Sequence, residues 1–175
     1  DPGTYIYHCD LKDRNAFRKT ENHNTVCVDG KDQSEMLGAF LWGRKAECKL
    51  LKAELGTETD VIEAEHDGYA PVIHRRAFYF EKAANRLTIE DKLLDEGNSQ
   101  KTLVFITAPK VVLKSASDTC VMFLTVNHKG TITFSGKVSI GETDCSLCYN
   151  VKQKTHRITE QLNSKTATTI INIEV

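Results

Sequence analysis

The stretch RLTIEDKLL, residues 86–94, sets Leu87, Ile89, Asp91 and Leu93 on one side and Arg86, Thr88, Glu90 and Lys92 on the other. Alternation with a period of two marks an extended strand with one covered face, because successive side chains leave a pleated backbone in opposite directions. The C-terminal TTIINIEV repeats the pattern, with Ile171, Ile173 and Val175 alternating with Asn172 and Glu174, so the chain is expected to end inside a sheet. Between and around these lie VIHRRAFYF, KTLVFITA, CVMFLTVN, GTITFSG and CYNV, rich in β-branched and aromatic residues. They are separated by turn material: DEGNS, NHKG and IGET. SEMLGAFLWGRKA and RITEQLN alone have a helical flavour, and Gly38 and Gly43 interrupt the first. The pattern predicts an all-β fold, an antiparallel β-sandwich.

At 175 residues, with no linker, repeat or low-complexity run, residues 1–175 read as one domain with a core that needs no staple. The opening DPGTYIY begins at once with a turn and a strand, without polar fraying, as if cut from a longer chain. Twenty-three Lys and Arg against 24 Asp and Glu give a net charge of −1, so no global field points to nucleic acid or an anionic membrane, and a polyanion site must be local. No apolar run approaches the ~18 residues of a membrane span, and the N-terminus lacks the regions of a signal peptide. The six cysteines are scattered and do not decide the redox compartment.

Several constellations could carry chemistry. Asp1 and His23 are both good ligands for zinc, although His23 bonded to a neighbouring carbonyl and Asp1 solvated at the terminus is the plainer reading of the residues alone. CSLC, Cys145 to Cys148, has C-x-x-C spacing but no second pair; in an extended stretch one thiol faces in and the other out. EHDGYAPVIHRR gathers His66, Asp67, Tyr69, His74, Arg75 and Arg76, which could line a sugar or carboxylate site, with the two arginines on opposite faces. RNAFRKTENHN places Arg14 and Arg18 four apart, either a solvated loop or a basic cluster for an anionic partner. Common hydrolase, nucleotide-binding and metalloprotease signatures are absent.

The succession DPGTYIY, RNAFRKTENHNTVCVDGKDQSE, GAFLWGRKA, AEHDGY, HRRAFYF and LTIEDKL resembles, in order as well as in wording, the C-terminal β-sandwich region of heparinase II/III-like polysaccharide lyases. The likeness runs strongly from Asp1 to about Leu93 and weakly beyond. There KVSIGE is similar to the family's S-x-x-Y-G segment but lacks its Tyr and carries Glu142. The resemblance implies an α/α toroid preceding the sandwich in the parent chain, and a periplasmic or secreted setting. It also implies β-elimination on a uronic-acid-containing polysaccharide, such as heparan sulfate or alginate, in a cleft between the two parts. The proton-transferring tyrosine and histidine belong to the toroid, so no catalytic residue is named in this chain, which is expected to be inactive alone. The family's zinc site implies Asp1 and His23 as two ligands, with a further histidine upstream of residue 1, so zinc belongs to the full-length parent and is weak or absent here. Arg14, Arg18, Tyr5, Tyr7 and Tyr69 become candidates for holding the polysaccharide. A binding module without catalysis, or a structural lid with Phe40, Leu41 and Trp42 exposed, are the other readings.

Overall fold

The computed structural model describes residues 1–94 and 97–174. One short helix, α1 (Leu11–Ala16), and a 3-10 turn (Thr20–Asn22) precede twelve strands. These are β1 (Val26–Val28), β2 (Cys48–Leu55), β3 (Thr59–Tyr69), β4 (Val72–Glu81), β5 (Arg86–Leu94) and β6 (Lys101–Ile106). They continue as β7 (Val112–Ser115), β8 (Cys120–Leu124), β9 (Lys129–Phe134), β10 (Val138–Cys148), β11 (Val151–Leu162) and β12 (Thr166–Glu174). Among the described residues no helix is long and apolar enough to cross a membrane.

The strands form two antiparallel sheets, one ordered β1-β6-β11-β10 and the other β2-β3-β4-β5-β12-β9-β8-β7. This is the all-β sandwich that the alternation predicts. In β5 the burial runs as the sequence reads, with Ile89, Asp91 and Leu93 buried and Glu90, Lys92 and Leu94 exposed. The register carries that face across the sheet: Phe78, Ile89, Thr169 and Phe134 are cross-strand partners in one row, and Leu87, Ile171, Ile132 and Val121 in another. Against them pack Val26, Leu103, Phe105 and Ile158 of the smaller sheet. Leu93, Leu103 and Ile158 are fully buried, each stabilising the fold by about 1.5–3 kcal/mol relative to an exposed side chain.

Five segments depart from expectation. DPGTYIY is not a strand but an irregular stretch held to β10 by one parallel bridge, Gly3 to Ser146. CYNV, read as a strand, holds the β10–β11 turn, where Asn150 adopts φ 60°. IGET, read as a turn, and RITEQLN, read as helical, lie within or largely within β10 and β11. The SEMLGAFLWGRKA segment is a hairpin-like loop closed by a Met36–Trp42 bridge. Of the turn DEGNS, Asp95 and Glu96 lie outside the described residues, as does Val175 of the last strand.

The helix α1 arises where a loop is expected. Asp10 caps it, its Oδ1 accepting from the backbone N–H of Lys12 at 2.8 Å and of Asp13 at 3.1 Å. That satisfies donors that a helix start leaves unpaired. Arg14 therefore projects from a helix, and Arg18 from the turn after it.

Candidate functional site

The dipeptide step Pro2-Gly3 fixes Asp1. Gly3 takes a φ of +73°, and its N–H donates to Asp1 Oδ1 at 2.8 Å. A β-carbon on Gly3 would stand 2.1 Å from the Ser146 carbonyl oxygen, so the close approach to β10 needs glycine. The Ser146 N–H donates to Pro2 O at 2.6 Å, completing the attachment. Asp1 Oδ2 is left facing His23 Nδ1 at 2.8 Å.

His23 follows the 3-10 turn. Burial and the positive N-terminus push its pKa below the usual histidine value, against a smaller upward pull from backbone hydrogen bonding by Arg18 and Phe17 and from Asp32. An imidazole and a carboxylate at that distance can share a proton or a cation, and the two donor types suit zinc. The two supply only half of a tetrahedral set: among the described residues no group of three or more His, Cys, Asp and Glu could hold a metal ion.

Beside this pair, cations and aromatic rings interleave. The Tyr5 ring stacks on Phe17, with centroids 5.7 Å apart, and Lys152 Nζ lies 4.4 Å above Tyr5 while pairing with Asp13 at 2.8 Å. Tyr7 stacks between Tyr149 and Phe40, at 5.4 and 6.3 Å, with the Arg14 guanidinium 5.6 Å from its centre. Arg18 lies 3.9 Å over Trp42, and its Nη1 donates to Gly38 O at 2.7 Å. Such contacts hold a guanidinium in place without neutralising it. Burial first, and Arg14 second, lower the Arg18 pKa from its usual value. Phe40 and Leu41 remain exposed, at 69% and 61%.

Four of the five residues proposed for saccharide contact thus come together. Tyr69 does not. It is buried, and its hydroxyl donates to Val26 O at 2.9 Å, joining β3 to β1 through the core, away from the other four. Burial drives its pKa up.

A second polar cluster lies inside. Gly68 N–H donates to His66 Nδ1 at 3.1 Å, so His66 carries its proton on Nε2, which donates to His74 Nδ1 at 3.0 Å. His74 Nε2 then donates to Asp91 Oδ1 at 2.6 Å. Arg76 closes the chain, donating from Nε to Asp91 Oδ1 at 2.7 Å and from Nη2 to Oδ2 at 3.0 Å. Burial, then His74, pushes His66 down to about 4, so it is neutral near pH 7. Burial alone would raise Asp91, but His74 and Arg76 outweigh it and hold the carboxyl below its usual value. Arg75 points the other way, to Glu65 at 2.8 Å, as strand alternation requires. The sequence signal for Asp91 was an acidic residue in the apolar row of a strand, which calls for a buried partner.

The cysteines are all free, with Cys145 buried and Cys148 exposed as the opposite-face argument expects. His8 lies exposed in the N-terminal stretch, and His66 is committed to the buried cluster.

No curated protein sequence matches the chain. Among solved structures, a heparan sulfate lyase HepC from Pedobacter heparinus superposes with a TM-score of 0.76 at 19% identity, over 99% of this chain and 28% of that one. The heparinase III BT4657 gene product gives 0.80 at 18% identity, again over 99% and 28%. A further heparinase III gives 0.75 at 21%, over 99% and 27%. At these identities the likeness is one of fold, and the chain spans little more than a quarter of the structures it matches. The heparinase II/III-like, C-terminal family covers residues 1–174, and the chain belongs to that family.

Proposed function

We propose that this chain is the β-sandwich part of a polysaccharide lyase, forming one wall of a cleft for a uronic-acid-containing polysaccharide and contributing Asp1 and His23 to a zinc site. The observation that carries the reading is the joint placement of Arg14, Arg18 and Lys152, each set against an aromatic ring, next to the Asp1–His23 pair. Guanidinium groups match carboxylate and sulfate oxygens, and aromatic faces suit sugar rings. Zinc at the pair would fix the N-terminal stretch against the 3-10 turn as a structural ion, since β-elimination needs no activated water. Removing the proton α to a carboxylate needs a base and a donor to the leaving oxygen. His66 and His74 direct their ring nitrogens to internal partners, so the proton-transferring groups are assigned to a helical toroid of a longer parent chain. The small share of the matched structures that this chain spans supports that division.

A non-catalytic module that grips an anionic glycan, or that is capped by a partner domain, is the second reading, favoured by the exposure of Phe40 and Leu41. The test is direct. The purified chain should bind immobilised heparan sulfate or alginate and elute with salt, with Arg14→Ala/Arg18→Ala eluting earlier, and it should release no unsaturated uronate. Turnover by this chain alone, surviving repurification, would overturn the division of labour. Lyase activity in a parent chain carrying the toroid, absent when that part is removed, would exclude the module reading.

A further inference from the structure

His23 is flanked by two asparagines, and each is gripped by an arginine from a different sheet. On one side Arg157, from β11, donates from Nη2 to Asn22 Oδ1, while Asn22 Nδ2 donates to Ala16 O. On the other, Arg76, from β4, donates from Nη1 to Asn24 O at 2.6 Å. Asn24 is held a second time, its Oδ1 accepting from Ile106 N–H at 2.7 Å. Arg76 cannot drift, because two more of its nitrogens are forked onto Asp91, itself held by His74 in a site where Asp91 and His74 side chains are 1% and 3% exposed. A guanidinium with five donors in a rigid plane can fork a carboxylate and still serve a carbonyl in a fixed direction, whereas the three donors of a lysine converge on one atom and hold no such plane.

We propose that Arg76 and Arg157 are positioning residues for His23: a clamp across the sandwich that sets the imidazole so that Nδ1 meets Asp1. Asp91 and His74 act one step behind, fixing Arg76. The inference rests on the reading of Asp1 and His23 as a metal pair only for its purpose; the orientation of the ring stands without metal. Outer partners that orient a ligand typically change metal affinity about 10- to 100-fold when removed.

The test uses the 175-residue chain with Arg157→Met, Arg76→Lys, and both changes together. Arg76→Lys keeps a positive charge beside Asp91, so the fold is retained while the fork is lost. Val121→Ala, in the core at the β8 end of the large sheet, serves as the control for general destabilisation. Without metal, the nuclear Overhauser contact between His23 Hε1 and the Asp1 β-protons should be present in the unsubstituted chain and the control, and lost in the double variant. Cobalt(II), read by its visible absorption, should then bind at least about tenfold more weakly to the double variant than to the control. An Overhauser contact that persists in the double variant overturns the clamp. If the contact behaves as expected but cobalt binds neither protein, the clamp stands and the Asp1–His23 pair alone holds no metal. If cobalt binds both equally and the contact is unchanged, the reverse holds.

Discussion

Asp91 Oδ1 accepts two hydrogen bonds at once, from His74 Nε2 at 2.6 Å and from Arg76 Nε at 2.7 Å, in a site almost closed to solvent. The carboxylate is the hub on which a buried imidazole and a largely buried guanidinium converge. Asp91→Ala strands the Arg76 charge, and we expect a loss of about 3–5 kcal/mol in urea unfolding. A loss below 1 kcal/mol, roughly the scale of a surface ion pair, would contradict this account.

The same cluster predicts two acid transitions. His66 ordinarily titrates at 6.5 but is held near 4 in the folded chain. The unfolded chain therefore binds the proton more tightly, and stability falls as pH drops from 6.5 toward 4, with no further loss from this group below. Allowing for partial solvent access, the loss is about 1–2 kcal/mol. Asp91, held below its ordinary 3.8, contributes stability that is fully present above that value and is lost as pH falls through its folded pKa. Unfolding free energies of the unsubstituted chain and His66→Gln between pH 7 and 4 check the first part; equal slopes would remove His66 as the cause.

Tyr69→Phe deletes the hydroxyl that reaches Val26 O but keeps the buried ring. The expected cost is about 1 kcal/mol in stability, with unchanged retention on immobilised heparan sulfate. Weaker retention at full stability would return Tyr69 to the saccharide contacts.

Gly3→Ala asks a β-carbon to occupy a point 2.1 Å from Ser146 O, at a positive φ that alanine disfavours. The N-terminal stretch should lift from β10, costing about 1–3 kcal/mol and separating Asp1 from His23. Loss of the His23–Asp1 Overhauser contact, with the remaining core resonances in place, is the expected result.

The legible parts of the sequence were those where one face is buried and the other wet. Leu87 to Leu93 alternate because β5 lies at the centre of the large sheet, and such strands declare themselves. β10 lies at an edge with many exposed residues, so IGET shows no apolar rhythm and resembles a turn. The six residues of α1 are too few for a helical period, and only the Asp10 cap hints at it. Asp1, His23, Arg14 and Arg18 were nameable from motif order, but not their company. Lys152 and Tyr149 arrive from the β10–β11 hairpin, more than a hundred residues downstream of the basic pair, and no local pattern announces that meeting.

The double grip on His23 also sets an order of events during folding. Arg157 is 135 residues from Asn22, Ile106 is 82 from Asn24, and Arg76 is 52 from the same residue. Contacts of such span form only after long loops have closed, which is slow compared with local pairing of adjacent hairpins. The imidazole therefore reaches its final setting when the two sheets have already met. A probe on His23 would report the last stage of refolding, while fluorescence from Trp42, in the early loop, need not follow the same clock.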